Sequence, residues 1–92
     1  MQQDSITIED RVITIVAEKF GVDKLQLSRD TDLVADLDAD SLDNVELTIE
    51  AEEVFEIAIS DEEAEKVRTI GDAVNLVTEQ LDLVAQLQPG HD

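Results

Sequence analysis

The sequence predicts an all-α fold: an antiparallel four-helix bundle, three main helices and one short one, with a long first loop. Three observations lead there. Apolar residues recur at three- and four-residue spacing in separate segments. Thr7, Ser60 and Thr69 each precede an acidic residue three positions on, the signature of a capped helix start. The one stretch that reads as a strand, residues 24–28, has no partner elsewhere, so a sheet is rejected.

The first helix is expected over residues 7–20. Thr7 caps it, Asp10 completes a weak capping box and Gly21 ends it. Val12, Ile13, Val16 and Phe20 form its apolar face. Residues 21–40 show no sustained period, and a connection of that length needs anchors or a function. Leu25, Leu27, Leu33, Val34 and Leu37 are the candidate anchors.

The second helix, residues 41–55, follows Asp40 and carries two apolar stripes. Leu47, Ala51, Val54 and Phe55 make a core face, while Leu42, Val45 and Ile49 form a stripe rotated away from it. Asp43, Glu46, Glu50, Glu52 and Glu53 fill most of the remaining surface. The Ser60–Glu63 box opens a short third helix running to about residue 67. The Thr69–Asp72 box opens a last helix to about residue 86, with Val74, Val77, Leu81 and Val84 inward. Pro89-Gly90 stops it. The 92 residues make one domain, with residues 1–6 and 88–92 expected to fray.

Twenty-four Asp and Glu against six Lys and Arg give a net charge of −18. Residues 30–65 hold fifteen of those acids and no Lys or Arg. Such a field repels nucleic acid and anionic membranes and attracts basic protein surfaces. High charge with two aromatic residues is also a signature of disorder, but 42% of the residues are hydrophobic and fall at helical spacing. No apolar run has the roughly 20 residues of a membrane span. The first residues lack the features of a signal or transit peptide, so a reducing, cytoplasmic location and a monomeric state are expected. With no cysteine, neither a disulfide nor a thiolate metal site supports the core. Asp36, Asp38 and Asp40 open like a calcium loop, but Ser41 and Leu47 stand where that loop needs Gly and Glu, so no metal site is assigned.

Ser41 is the residue of interest, at the junction of loop and second helix. On position alone a serine there is most often a cap. A hydrolytic nucleophile is rejected: its flanks are Ala39-Asp40 and Leu42-Asp43, with no Gly-x-Ser-x-Gly, and the single histidine is His91 near the end of the chain. The third possibility is that another protein modifies Ser41.

Asp36-Leu37-Asp38-Ala39-Asp40-Ser41-Leu42-Asp43, followed by Val45-Glu46-Leu47, resembles the modification motif of acyl carrier proteins. Residues 7–12, 60–67 and 69–77 resemble that family's first, third and fourth helices, in order and at matching spacing. The resemblance implies a carrier, not an enzyme, of the discrete fatty-acid-synthesis type. It implies 4′-phosphopantetheine taken from coenzyme A, with Mg²⁺, by a phosphopantetheinyl transferase and attached to Ser41, its thiol holding acyl groups as thioesters. It also implies docking of the transferase and of fatty acid synthesis enzymes, through basic surfaces, on Asp40, Leu42, Asp43, Val45, Glu46, Ile49 and Glu53. An acyl cavity is implied among Leu47, Ala51, Phe55, Ile59, Ala64, Val67, Ile70, Ala73 and Val77, which by sequence alone are ordinary core. A carrier for polyketide, peptide or lipid-modification chemistry is the alternative within the class. An acidic interaction domain in which Ser41 is only a cap is the alternative outside it. Three departures from the family pattern stand out: Asp38 for glycine, Ser60 for proline, and Ala51 where leucine is common, the last expected to enlarge the cavity. The crowded carboxylates predict destabilisation at low ionic strength and rescue by Mg²⁺ or Ca²⁺.

Overall fold

The computed structural model describes residues 7–87. Four α-helices follow in order: α1 (Ile8–Phe20), α2 (Ser41–Phe55), α3 (Asp61–Glu65) and α4 (Ile70–Leu87). A single 3₁₀ turn, Lys24–Gln26, interrupts the first loop. Helix α1 packs against α4 and α2, and α2 also meets α3 and α4. The fraying expected at residues 1–6 and 88–92, and the stop at Pro89-Gly90, lie outside the described residues.

Each helix begins where its side chains can satisfy orphan backbone donors. Thr7 Oγ1 accepts from Asp10 N at 3.0 Å, and Gly21 closes α1 at φ 66°, a left-handed conformation that costs glycine nothing. Ser60 and Glu63 form a reciprocal capping box on α3. Thr69 and Asp72 do the same for α4, Asp72 N donating to Thr69 Oγ1 and Thr69 N to Asp72 Oδ2. Helix α3 ends at Glu65, two residues short of the expected end. Lys66 N and Val67 N bond to Glu63 O and Ala64 O, three residues back, which tightens the last turn out of α-helical geometry.

The core joins Val12, Ile15, Val16 and Ala17 of α1 to Phe55, Ile57, Ile70, Val74 and Val77, with Leu27, Leu33 and Ala39 from the loop. Ile15 and Ala17 widen the α1 face beyond the four residues the spacing indicated. Leu27 and Leu33 anchor the loop as expected, and Leu37 packs partly buried against the core. Leu25 does not: it is 92% exposed, because the 3₁₀ turn capped by Asp23 aims it outward and leaves Leu27 to face in. Val34 is likewise exposed, since its N–H and that of Ala35 cap Asp32 Oδ1 in a tight turn whose inward position is Leu33. Val54 is 41% exposed, not core, for its neighbour Phe55 takes the inward direction at that level of α2.

Backbone hydrogen bonds, more than side chains, fasten the loop to the start of α4. Leu33 N donates to Arg68 O, Ile70 N to Thr31 O and Gly71 N to Arg29 O, at 2.8, 3.0 and 2.8 Å. Asp32 and Thr69 form an isolated antiparallel bridge, the one strand-like pairing among the described residues. A twenty-residue connection is tolerated because its polar backbone is paired in this way.

Candidate functional site

The site is the mouth of α2, and its geometry starts three residues before Ser41. Asp38 has φ 61°, and this left-handed turn lets Ala39 N reach Leu33 O at 2.9 Å while Ala39 buries. The chain then arrives at Asp40 extended. Asp40 Oδ1 accepts from Asp43 N at 2.9 Å, and Asp43 Oδ2 accepts from Asp40 N at 3.1 Å. Asp40 is therefore the cap, and Ser41 is the first helical residue. Its hydroxyl is exposed and hydrogen-bonded to no described residue. The cap role that position alone favoured for Ser41 is corrected: the capping acceptor is one residue earlier, where the backbone is still extended.

One space adjoins this serine and a second lies deeper. An open groove of about 620 Å³ runs from Ser41 between α2 and α3, walled by Val45, Ile49, Glu52, Asp61 and Glu65. Beneath it lies an apolar cavity of about 60 Å³. Asn44, Thr48, Ile59 and Ala64 line both, and so form the partition between them. A volume of 60 Å³ is about two water volumes, so a chain of more than a few carbons would have to part the bundle to enter.

Of the nine residues assigned to the cavity, Leu47, Ala51, Ile59, Ala64, Val67, Ile70, Ala73 and Val77 line it. Phe55 does not. It is a buried core residue at the last position of α2, a full turn beyond Ala51, and falls past the end of the space. The sequence reading missed Val12, Ile15, Val16 and Leu33, which reach the cavity from α1 and the loop, and Asn44, Thr48 and Leu76. Val12 and Val16 are legible as core from their spacing and Ile15 is not, and no sequence signal says which core faces a void.

Leu42, Val45 and Ile49 are 63%, 53% and 49% exposed, which removes the alternative that they are core contacts under the first loop. Asp40, Glu46 and Glu53 are exposed around them and Asp43 is half-buried. Lys19 of α1 reaches across to pair with Glu46 and, at 3.8 Å, with Asp43. No other described cation pairs with α2. The spacing rules gave no hint of Lys19, because the pair spans twenty-seven residues.

Two carboxylates near the junction of loop and α4 have lowered pKa values. Backbone N–H donation from Ala35, then from Val34, with Arg68 close by, holds Asp32 below the usual range against some desolvation. Donation from the N–H groups of Arg68 and Thr69 does the same for Asp72. Neither belongs to the groove. Among the described residues no group of three His, Asp or Glu is arranged to hold a metal ion, and no helix is long and apolar enough to cross a membrane.

Residues 10–77 match the family model for the phosphopantetheine attachment site. Among solved structures, an acyl carrier protein from Enterococcus faecalis, described for structural components contributing to its high thermal stability, is 33% identical and superposes with a TM-score of 0.70. The match covers 79% of this chain and 92% of that one. Phosphopantetheine is accordingly this domain's covalent cofactor, and the groove beside α2 is a fitting place for such an arm. The thiol of that arm would supply the thioester linkage; the chain itself is a carrier, and the chemistry on the cargo belongs to partner enzymes. A capped serine-bearing helix, a long first loop pinned to the core by Leu27, Leu33 and Ala39, and a matching family model over most of the chain lead to one conclusion: this chain belongs to the acyl carrier protein family.

Proposed function

We propose that Ser41 carries the 4′-phosphopantetheine arm and that the chain shuttles acyl thioesters among the enzymes of fatty acid synthesis. The observation that carries the reading is the hydroxyl of Ser41, exposed at the first turn of α2 because Asp40 does the capping. In the modification the serine oxygen attacks the pantetheine-side phosphorus of coenzyme A, and the pyrophosphate P–O bond breaks with adenosine 3′,5′-bisphosphate leaving. A phosphodiester to the arm forms, and the hydroxyl proton passes to a base on the transferase. The helix N-terminus favours the phosphate that results.

Docking is reversible for two reasons. Asp40, Asp43, Glu46 and Glu53 steer a basic surface toward α2, and Leu42, Val45 and Ile49 supply a small apolar contact. A basic partner competes with Lys19 for Asp43 and Glu46. The charge of −18 opposes self-association, in keeping with a cytoplasmic monomer. Asp38 in place of the motif's glycine favours a second reading within the class, a carrier dedicated to polyketide, peptide or lipid-modification enzymes with its own transferase.

Intact mass after incubation with coenzyme A, Mg²⁺ and a broad-specificity transferase tests the assignment. The wild type gains one phosphopantetheine, and Ser41→Ala gains none while melting at the same temperature. Modification of Ser41→Ala overturns the choice of residue.

A further inference from the structure

Asn44 is a polar residue in an apolar place. Its side chain lines the cavity beside Leu47, Ala51 and Ile59, and it also faces the groove that begins at Ser41, one turn earlier on α2. Its Oδ1 is buried and no described donor reaches it. Thr48, one turn further along the helix, is already committed, donating to Asn44's own backbone carbonyl at 2.9 Å. The backbone N–H of Asn44 donates to Asp40 O. A buried amide oxygen without a donor is costly, and such atoms are rare enough to call for an explanation. If the amide is turned over, the same position holds an unpaired donor, so the conclusion that this end seeks a partner stands either way.

We propose that Asn44 is a specificity residue: its amide hydrogen-bonds a hydroxyl on the acyl cargo close to the thioester, so that this carrier shelters hydroxyacyl chains better than saturated chains of equal length. The inference rests on the carrier role of Ser41 argued above and deepens it. Three features support it together. Asn44 stands in the partition between groove and cavity, which a cargo entering from the Ser41 side must pass. The rest of the cavity lining is almost wholly aliphatic, so a hydroxyl further along the chain meets no partner and is penalised. Thr48, the other polar residue of the partition, accepts from no described donor and can take part from the same helix face one turn on.

The test uses octanoyl and 3-hydroxyoctanoyl thioesters loaded on the full chain from their coenzyme A forms, with intact mass confirming each load. Loading that fails, or that survives Ser41→Ala, counts against the attachment site and is read separately from cargo preference. The rate of thioester cleavage by neutral hydroxylamine then reports shelter. Protection is expressed as the hydroxyacyl-to-saturated ratio, so that the cargo's intrinsic reactivity cancels between proteins. On passing from wild type to Asn44→Leu this ratio falls about fivefold, the equivalent of ~1 kcal/mol for one net hydrogen bond. Asn44→Val, smaller than leucine, gives the same fall if leucine overpacks the partition. In the wild type, the side-chain amide resonances of Asn44 shift with the hydroxylated cargo and stay in place with the saturated one. A ratio unchanged within twofold in both variants overturns the proposal. So does an equal loss of protection for both cargoes, which assigns Asn44 to the arm's own amides.

Discussion

Asp38 offers the sharpest test of how the loop delivers Ser41. It holds φ 61° in a turn fixed on both sides by backbone bonds, Asp38 N to Val34 O and Ala39 N to Leu33 O. A residue with a Cβ pays roughly 1–2 kcal/mol in this region, and Asp less than most through local hydrogen bonding. Glycine removes that strain but loses roughly 0.5–1 kcal/mol of chain entropy on folding. Asp38→Gly therefore gains about 0.5 kcal/mol from conformation alone. Charge acts as well, since no Lys or Arg occurs from residue 30 to residue 65. Two like charges ~8 Å apart in water repel by about 0.5 kcal/mol, and salt screens most of this at 1 M. In 20 mM salt the order of stability is thus Gly, then Asn, then Asp. In 1 M salt Asn and Asp converge, Gly remains above them, and Ala falls below, because it has Cβ strain without a compensating polar group. At 4–8 °C per kcal/mol for a domain of this size, the Gly variant gains roughly 2–4 °C at high salt. Thermal melts of the four proteins at both salt concentrations read this directly, and the low-salt series also checks the expected rescue by Mg²⁺ or Ca²⁺. An alanine variant as stable as glycine at 1 M salt refutes the argument that backbone strain resides at this position.

Two further outcomes follow from the core and the start of α4. Ala51→Leu adds three carbons to a cavity of about 60 Å³. Their burial is worth at most ~2.4 kcal/mol and overpacking removes much of it, so the unloaded variant melts within a few degrees of wild type, while the longest saturated cargo it accepts without loss of melting temperature shortens. Equal tolerance of chain length in both proteins removes Ala51 as the residue setting capacity. For Asp72, a lowered folded-state pKa means that its stabilisation is present above the unfolded value of about 3.9 and is lost as pH falls through the folded value. Asp72→Asn is accordingly less stable than wild type at pH 7, and the gap in melting temperature closes below pH ~4; a gap independent of pH assigns the loss to something other than this carboxylate.

The sequence alone carried the helices and the serine. Apolar periodicity and capping pairs are local properties, spaced within four residues, and so Thr7, Ser60, Thr69 and Gly21 marked their boundaries to within a residue or two of those observed. Asp40-Ser41-Leu42 and its neighbours were legible for the same reason: the motif is contiguous. Tertiary structure decided what depends on distant parts of the chain. Whether Leu25 and Val34 anchor the loop was settled by turn geometry and by the backbone bonds to Arg68, Ile70 and Gly71, none of which leaves a pattern in side-chain hydropathy. Lys19 meets Glu46 only because α1 crosses α2. Asn44 reads in the sequence as one more polar position on an acidic helix. Only the packing of α2 against α3 turns its amide into a buried, unpaired group at the entrance to the cavity, because burial is a property of the assembled bundle and not of any segment within it.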